Sequence, residues 1–342
     1  MIFTRIPDLH LTTGLVPSIR THEGTISRLE NFGVLSLEMM REIASFVLPA
    51  DRRGTWPTEK EMDASFEHKG ARFRVNAYFE ARGPSFAFRL IAQAIPTPSE
   101  LGLPGVLTDL IKNGSGLLLV TGPTGSGKST VLASLIEELN STASLHIITI
   151  EDPIEYVFEQ KKCLIHQREV SVHTDSFARA IRSSLREDPD VIVIGEMRDA
   201  ETMAAAMTLA ETGHLVISTL HTSDAVGSVD RIIDSFPTSQ QPQIRVQLAL
   251  SLLGVMSQLL LPRKNGNGRV PARELLINND AVRSLIIQGA THQIYSMIEI
   301  AANEGMCLMD KSLDSLFLKG YISKEVLKSR IRDTDLLSLH LG

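Results

Sequence analysis

The segment at residues 117–130 constrains the fold of this 342-residue chain more strongly than any other feature. It reads LLLVTGPTGSGKST, in which an apolar run leads directly into a match to the pattern G-x-x-x-x-G-K-[ST]. With ordinary residue frequencies, a chance match in a chain of this length is expected in roughly one sequence in a hundred. A good helix former, VLASLIEEL, follows at once. A strand, a glycine-rich loop and a helix in this order predict a loop that binds phosphate through its backbone.

Each residue type in this loop suits the binding of a nucleoside triphosphate with Mg²⁺. Glycine lets several backbone N–H groups converge on phosphate oxygens, and the following helix directs its positive end at them. Lys128 would place a positive charge near the β- and γ-phosphates, and the Ser129 hydroxyl would coordinate Mg²⁺. The alternative is a flexible loop that binds nothing, which the flanking strand and helix disfavour. The predicted nucleotide-binding residues of the loop are Gly122, Pro123, Thr124, Gly125, Ser126, Gly127, Lys128, Ser129 and Thr130.

Short apolar runs after residue 116 predict a mostly parallel sheet. They lie at residues 117–121, 147–150, 191–194 and 215–218, and helical stretches separate most of them. Their apolar residues are continuous instead of alternating, which is typical of strands covered on both faces. The fold class predicted for this part is therefore α/β. The last hundred or so residues are predicted to be mainly helical, with a stop at Gly320.

A separate α+β unit is predicted before this sheet. Its elements are two short strands, a helix and a hairpin, at residues 8–11, 18–20, 37–48, 71–79 and 86–90. Apolar and polar residues alternate along the hairpin, so that one face is buried and the other presents arginines. The prolines of the segment IPTPS favour extended backbone and indicate a linker. We therefore predict domains at residues 1–95 and 103–342, joined by a linker at 96–102.

Acidic residues follow two of the predicted strands. Glu151 and Asp152 come directly after the run at 147–150, and Glu196 follows the run at 191–194 after one glycine, Gly195. Ligands of such sheets bind beyond the carboxyl ends of the strands. Hydrolysis of a triphosphate needs a group that orients or deprotonates water and charge compensation around Mg²⁺. We predict that Glu196 holds Mg²⁺ or water and that Glu151 is the general base, while Asp152 could merely cap a helix.

Two histidines flank the last of these runs. His214 precedes it and His221 follows it, and seven residues of extended chain span about 23 Å. The two side chains therefore cannot share a metal ion. His221 lies past the carboxyl end and is predicted to contact the γ-phosphate or the attacking water, whereas His214 is predicted to be structural.

Arginines could supply further positive charge to the site. Arg182 and Arg186 are four residues apart on a predicted helix and would share a face. They could act as arginine fingers, or they could pair with the nearby Glu187 and Asp188. The hairpin arginines could likewise face solvent, an interface or a nucleotide. They are Arg72, Arg74, Arg82 and Arg89.

Composition excludes some classes of protein. A net charge of −6 shows no footprint for nucleic acid, so a nucleic-acid motor is disfavoured. The two cysteines, Cys163 and Cys307, are too few for a disulfide framework or a four-cysteine zinc site, and we expect free thiols. The start, MIFTRIPDLHL, lacks the pattern of a signal peptide. The apolar run at 248–261 is too short to span a membrane, which takes about 20 residues, and a buried helix is predicted there. A cytoplasmic protein is expected.

The motifs together resemble those of the secretion ATPase superfamily, and most closely of its pilus retraction ATPases, the PilT group. In that family they are the Walker A motif, the aspartate box, an atypical Walker B motif and the histidine box. The matching segments are GPTGSGKST at 122–130, TIEDPIEY at 149–156 continuing through KKCLIHQREV at 161–170, LREDPDVIVIGEMRD at 185–199 and AETGHLVISTLHT at 210–222. The family carries glycine and then glutamate after the Walker B strand, so VIVIGEMRD is its normal form.

The resemblance implies a PAS-like N-terminal domain joined to a RecA-like P-loop ATPase domain that includes C-terminal helices. It implies a homohexamer that binds ATP between the two domains, where arginines such as Arg82 and Arg89 would reach it. The ring would act on an inner-membrane platform protein of a pilus or secretion system, possibly with a paralogous ATPase. A cytoplasmic protein associated peripherally with the inner membrane is therefore expected.

One departure bears on the direction of mechanical work. The retraction group has the C-terminal signature AIRNLIRE, and the matching segment here is AVRSLIIQ at residues 281–288. Ile287 and Gln288 replace a charged pair, which weakens the inference of retraction but leaves ATP hydrolysis untouched. A type IV secretion ATPase and an accessory ATP-binding ring paralogue that regulates a partner motor are the open alternatives. An assembly ATPase is disfavoured because those relatives usually contain a four-cysteine insert.

Overall fold

The chain divides into two compact units. The computed structural model describes residues 8–21, 25–50, 53–91, 94–266 and 268–332. The first unit comprises Met1–Ile95 and Pro153–Val157, and the second comprises Pro96–Asp152 and Phe158–Gly342. The prediction that the chain starts without a signal peptide falls mainly on residues 1–7, which lie outside the described residues. The predicted domain boundaries stay a prediction.

The first unit is built on a six-stranded antiparallel sheet with the strand order β3-β2-β1-β6-β5-β4. Its elements are β1 (Asp8–Thr12), β2 (Ser18–Arg20), β3 (Ile26–Arg28), α1 (Leu37–Val47), α2 (Trp56–Glu59), β4 (Glu61–His68), β5 (Ala71–Glu80) and β6 (Gly83–Leu90). Phe73, Val75 and Ala77 of β5 are buried and pack in one core with residues of α1. The predicted alternation, helix and hairpin are thereby confirmed.

Strand β4 was not predicted, although its sequence shows the same alternation. Met62 and Ala64 are buried, and the strand pairs with β5 along its whole length. The two strands join through a two-residue turn in which Lys69 and Gly70 both have positive φ, at 50° and 73°. A turn of this kind matches the right-handed twist of a hairpin. The lysine and glycine were the available signal for a third strand.

The second unit contains a seven-stranded sheet with the order β13-β12-β7-β11-β10-β8-β9. Six of these strands are parallel and β13 is antiparallel to β12, so the predicted mostly parallel sheet is confirmed. The strands are β7 (Gly116–Thr121), β8 (His146–Glu151), β9 (Leu164–Glu169), β10 (Val191–Ile194), β11 (Leu215–Leu220), β12 (Leu252–Pro262) and β13 (Arg269–Ile277). The carboxyl ends of β7, β8, β10 and β11 therefore lie at one edge.

Helices connect these strands and complete the unit. They are α3 (Gly105–Asn113), α4 (Lys128–Thr142), α5 (Phe177–Ser184), α6 (Ala200–Glu211), α7 (Ala225–Asp234), α8 (Gln241–Ser251), α9 (Asp280–Gln288), α10 (Ile294–Ile300), α11 (Met309–Leu318) and α12 (Lys324–Lys328), with 3₁₀ turns at Thr291–Gln293 and Ala301–Glu304. Gly320 has a φ of 72° between α11 and α12 and confirms the predicted helix stop. Among the described residues, each helix is too short or too polar to cross a membrane.

The prediction of a buried helix at residues 248–261 is wrong. Helix α8 ends at Ser251, and β12 runs from Leu252 to Pro262 between β7 and β13. A strand covered on both faces is continuously apolar, as a buried helix is, so periodicity does not distinguish the two. Gly254 is the local sign of the strand, because a Cβ there would lie 2.6 Å from the Leu276 carbonyl oxygen of β13. The prediction of a mainly helical C-terminal part is wrong for the same strands.

Candidate active site

The phosphate loop joins β7 to α4 in the predicted manner. Gly122, Gly125 and Gly127 have φ values of 145°, 76° and 88°, which side chains disfavour. Gly127 is the N-cap of α4, and Lys128 is its first residue. The loop therefore presents backbone N–H groups and the positive end of a 15-residue helix to the same side.

Lys128 is buried against its own loop. Its Nζ donates to the carbonyl oxygens of Gly122 at 2.8 Å and of Pro123 at 3.1 Å. Only 9% of the residue is exposed. The ammonium group is thus held over the loop, where phosphate oxygens would compete with the two carbonyls for its protons.

Glu196 and His221 meet at the ends of adjacent strands. Glu196 follows β10 and His221 follows β11, and His221 Nε2 lies 3.2 Å from Glu196 Oε2. The other carboxylate oxygen pairs with Arg198, and the Glu196 side chain is 12% exposed. Because β11 lies between β7 and β10, this pair neighbours the strand that leads into the phosphate loop.

Gly195 lets the backbones after β10 and β8 approach each other. Its N–H donates to the Ile150 carbonyl oxygen at 2.8 Å, and its own carbonyl accepts from Thr219 Oγ1 at 2.6 Å. A Cβ at this residue would lie 3.2 Å from the Ile150 oxygen and 3.4 Å from Cα of Glu151. An aspartate at position 195 would not fit without displacing β8, so the acid comes one residue later.

Glu151 lies at the carboxyl end of β8, beside Gly195. Thr149 Oγ1 donates to its Oε1 at 2.6 Å, and Gln167 Nε2 of β9 donates to the same oxygen at 3.2 Å. Gln167 was not among the predicted site residues. These two donors orient the carboxylate, as a general base requires. Its role as base stays a prediction.

The predicted shared face of Arg182 and Arg186 is wrong. Helix α5 ends at Ser184, and the Arg186 N–H turns back to the Ser183 carbonyl at 3.0 Å. Arg182 pairs with Glu201 of α6 instead of the residues that follow it. The sequence continues with Asp188 and a proline, and a residue before proline is disfavoured in helical conformation. A role of either arginine as a finger stays a prediction.

The hairpin arginines are described within the first unit alone. Arg89 Nε donates to the buried Asp8 at 2.8 Å, a bond that raises the pKa of the arginine. Arg74 lies 3.9 Å from Asp63, and Arg82 lies in the turn between β5 and β6. Their predicted contact with nucleotide stays a prediction.

His214 and the cysteines have the structural surroundings that were expected. His214 Nδ1 lies 3.0 Å from Thr212 Oγ1 and 3.1 Å from the Leu209 carbonyl oxygen, at the start of β11. Both cysteines are free thiols. Burial raises the pKa of Cys163 and of Cys307, which keeps the thiols protonated at neutral pH.

The phosphate loop has supporting residues that were not predicted. Gln258 of β12 donates from Nε2 to the Ser126 carbonyl oxygen at 2.6 Å, and Arg273 of β13 donates from Nε to Gln258 Oε1 at 2.7 Å. Arg269 Nη1 donates to the Gly125 carbonyl oxygen at 3.1 Å. They were missed because β12 was predicted as a helix. A glutamine inside an apolar run was the available signal.

The donor types at this edge suit Mg²⁺. Ser129 offers a hydroxyl and Glu196 a carboxylate, and hard oxygen donors are what this ion prefers. Within the described ranges, no cluster of three or more His, Cys, Asp or Glu side chains could hold a metal by itself. An ion at this edge would therefore rely on phosphate oxygens and water, as Mg²⁺ at nucleotide sites usually does.

Comparison with known proteins gives one consistent result. A twitching motility protein of Neisseria gonorrhoeae is 46% identical over 323 residues, which cover 94% of this chain and 86% of that protein. The type IV pilus retractation ATPase PilT of Pseudomonas aeruginosa is 46% identical over 319 residues, covering 93% and 92%. Both resemble this chain over nearly its whole length.

A solved structure extends this likeness to the fold. The crystal structure of the pilus retraction motor PilT with bound ADP matches with a TM-score of 0.92 and 44% identity, over 99% of this chain and 96% of that one. It confirms the predicted fold class, an N-terminal α+β domain followed by a RecA-like ATPase domain. The model of the family described as type II/IV secretion system protein matches residues 49–312. With that match and these relatives, the chain belongs to the type II/IV secretion ATPase family and resembles its PilT members.

Proposed function

We propose that this protein is an ATP hydrolase that powers the retraction of type IV pili. The observation that carries the proposal is the edge of the sheet in the second unit. There the phosphate loop follows β7, and the contacting pair Glu196 and His221 follows the next two strands. Family membership over most of the chain supports the mechanical part.

The side chains divide the work of hydrolysis among them. Lys128 and the backbone N–H groups of the loop bind the phosphates and compensate the charge that develops on transfer. Mg²⁺, when bound through Ser129 and Glu196, neutralises charge on the β- and γ-phosphates. Glu151 accepts a proton from the attacking water, and His221 contacts the γ-phosphate or that water while Glu196 orients the imidazole.

The motor would be a homohexamer. In the ring, arginines such as Arg82, Arg89, Arg182 and Arg186 would supply positive charge to a nucleotide held by their own or a neighbouring subunit. The partner would be an inner-membrane platform protein of a pilus or secretion system, with a paralogous ATPase as a second partner. The protein would then lie at the cytoplasmic face of the inner membrane, and nucleic acid would have no part in the cycle.

A turnover assay on the purified chain tests the enzymatic part. We expect Mg²⁺-dependent release of phosphate from ATP that DNA does not stimulate, together with a sixfold assembly in sedimentation. A chain that binds ATP without turnover would instead be the accessory ring paralogue.

Deletion of the gene tests the mechanical part. Retraction predicts more surface fibres and no twitching, because pilin subunits no longer return to the membrane. Loss of all fibres would indicate an assembly motor, and unchanged fibres with impaired secretion would indicate a secretion ATPase.

The altered 281–288 signature leaves the helix intact. Residues Asp280–Gln288 form α9, with Ile287 43% exposed and Gln288 Nε2 donating to Ser284 Oγ at 2.8 Å. The replacements therefore change surface chemistry and not the fold. Restoring the charged pair by Ile287→Arg with Gln288→Glu should leave ATP turnover unchanged, and a change in fibre retraction alone would assign this surface to the mechanical step.

A further inference from the structure

We propose that Gln258 and Arg273 are positioning residues of the phosphate loop, which they tie to the backbone of Leu101 and Gly102. The proposal deepens the proposed function, because it rests on the loop binding nucleotide. Four hydrogen bonds form the connection: Arg273 Nη1 to the Gly102 oxygen, Arg273 Nη2 to the Leu101 oxygen, Arg273 Nε to Gln258 Oε1, and Gln258 Nε2 to the Ser126 oxygen.

The contact of Gln258 orients a backbone amide toward the phosphate side of the loop. Gln258 Nε2 lies 2.6 Å from the Ser126 carbonyl oxygen, and only 3% of the glutamine is exposed. In a planar trans peptide the carbonyl points opposite to the N–H of the next residue. Holding the Ser126 carbonyl against β12 therefore turns the N–H of Gly127 away from β12. Gly127 is the N-cap of α4, where an N–H directed outward can bind an anion.

The loop lies so close to Gln258 that two glycines are required. A Cβ on Gly122 would lie 2.3 Å from the backbone oxygen of Gln258, and a Cβ on Gly127 would lie 3.0 Å from Gln258 Nε2. The first distance is shorter than any ordinary contact. The glutamine thus supports the loop at its first and third glycines, and a shift of its side chain would be transmitted to both.

Arg273 determines which way the glutamine amide faces. A guanidinium group has only donors, so the Gln258 atom at 2.7 Å from Arg273 Nε must be the oxygen. The amide nitrogen then faces the Ser126 carbonyl, which can only accept. Without Arg273 the amide could turn over and present its oxygen to that carbonyl, and the two acceptors would repel each other.

The arginine is held in a costly way for a residue without a task. Its other nitrogens bond the carbonyls of Gly102 and Leu101, each at 2.7 Å. Burial lowers the pKa of Arg273 to about 10. Within the described part of the chain, its partners are these carbonyls and the Gln258 amide, and it belongs to none of the ion pairs found there. Its neighbour Glu274 instead binds the N–H groups of Ala225 and Met309.

Leu101 and Gly102 belong to an ordered turn. The Thr97 N–H and hydroxyl bond Glu100 at 2.8 and 2.9 Å, and the Leu103 N–H bonds the Pro98 carbonyl at 2.9 Å. This turn lies in the segment predicted as the linker, at the start of the second unit. We infer that the position of the turn and the geometry of the phosphate loop depend on each other through Arg273 and Gln258, so that nucleotide affinity responds to the linker.

Nucleotide affinity of the full chain tests this inference. A fluorescent ADP analogue is titrated into the wild type, Gln258→Glu and Arg273→Met, and kcat and KM for ATP are measured in parallel. We expect Gln258→Glu to raise the dissociation constant about tenfold or more, because a buried carbonyl faces a carboxylate in place of a donor. Arg273→Met should act in the same direction with a smaller change. Gln243→Glu, on the exposed part of α8, is the matched control and should behave as the wild type.

The double variant and a conservative variant distinguish positioning from a general loss of stability. If both residues act through one contact, Gln258→Leu with Arg273→Met should weaken binding no more than Gln258→Leu alone. Arg273→Lys should recover part of the affinity if Gln258→Glu proves insoluble. Folded Gln258 and Arg273 variants with wild-type affinity would overturn the inference. A wild type that itself fails to bind the analogue would instead contradict the proposed function.

Discussion

The contact between Glu196 and His221 shows how two residues 25 apart in sequence act as one group. At 3.2 Å, the bond from His221 Nε2 to the carboxylate places the proton on Nε2 and leaves Nδ1 as an acceptor if the ring is neutral. Arg198 binds the second oxygen of the same carboxylate. The acid is therefore oriented on both sides before nucleotide binds, and its removal should affect turnover more than binding.

We expect Glu196→Gln and Glu151→Gln to retain nucleotide binding and to lose turnover. The amide keeps the size of the side chain but cannot accept a proton or hold Mg²⁺ with a full charge. Loss of a general base costs about a hundredfold to ten-thousandfold in rate. Steady-state phosphate release and analogue binding measure the two effects, with Glu138→Gln as a control on the far surface of α4. Near wild-type hydrolysis by Glu196→Gln would show that this acid is assigned wrongly.

Lys128→Ala should abolish nucleotide binding. The variant loses the positive charge at the β- and γ-phosphates and the bonds that hold the Gly122 and Pro123 carbonyls. Calorimetric titration with ADP measures the loss. Lys112→Ala, which removes only an exposed pair with Glu138, should bind as the wild type does. Comparable weakening in both variants would point to general charge effects.

At the scale of elements, the edge of the second sheet depends on close approach of backbones. The segment after β10 bonds the ends of both neighbouring strands, through the Gly195 N–H to Ile150 and the Thr219 hydroxyl to Gly195. This spacing sets where Glu196 emerges relative to Glu151. Glycine is needed there for space, since Gly195 is absent from the residues with positive φ.

Gly195→Ala should lower both stability and turnover. The added Cβ would meet the Ile150 oxygen at 3.2 Å, so the ends of β8 and β10 must separate by a few tenths of an ångström. Overpacking of this kind costs about 1–3 kcal/mol of unfolding free energy. Urea unfolding and ATP turnover measure the two effects. Gly105→Ala, where a Cβ meets nothing within 4 Å, is the control. Wild-type turnover in Gly195→Ala would show that the strand ends tolerate separation.

At the scale of the whole molecule, distant parts of the chain converge on the helix that follows the histidine box. Asp224 caps α7 through the Gly227 N–H at 2.7 Å, and its carboxylate also accepts from Tyr295 at 3.1 Å and Arg332 at 2.6 Å. Burial by itself raises the pKa of Asp224, but the bonds from Gly227 and Arg332 outweigh it and lower the pKa. Burial raises the pKa of Tyr295 to about 12, so the phenol stays a donor.

Arg332→Ala should make the protein more sensitive to acid. An aspartate with a lowered pKa contributes stability above its unfolded pKa, about 3.9, and loses it as the pH falls through the folded value. Removing the arginine raises the folded pKa and reduces that contribution. Because Arg332 is 46% exposed, the loss at pH 7 should stay below about 1 kcal/mol.

Acid unfolding followed by circular dichroism checks this shift. The midpoint of Arg332→Ala should lie at higher pH than that of the wild type, while Arg330→Ala, at the exposed neighbouring arginine, should leave it unchanged. Equal midpoints in all three proteins would show that the bond to Asp224 contributes nothing to stability.

Sequence reasoning succeeded where the chemistry is local and failed where a partner strand decides. The loop at 122–130 was predicted because glycine, lysine and serine at that spacing suit one task, and β5 because its alternation matches the pleat. Arg186 was placed wrongly because a helix end depends on turn bonds and a proline. Strand β12 was mistaken for a helix because its apolar run has no period of its own.

The sequence by itself thus determined the phosphate loop, the parallel sheet and the acids and histidine at strand ends, since these follow from neighbours along the chain. Only the tertiary structure decided that His221 binds Glu196, that Gly195 must lack a side chain, and that Gln258 and Arg273 support the loop. These contacts join residues separated by tens to more than a hundred positions. Strand order, which local sequence does not encode, determines which of them meet.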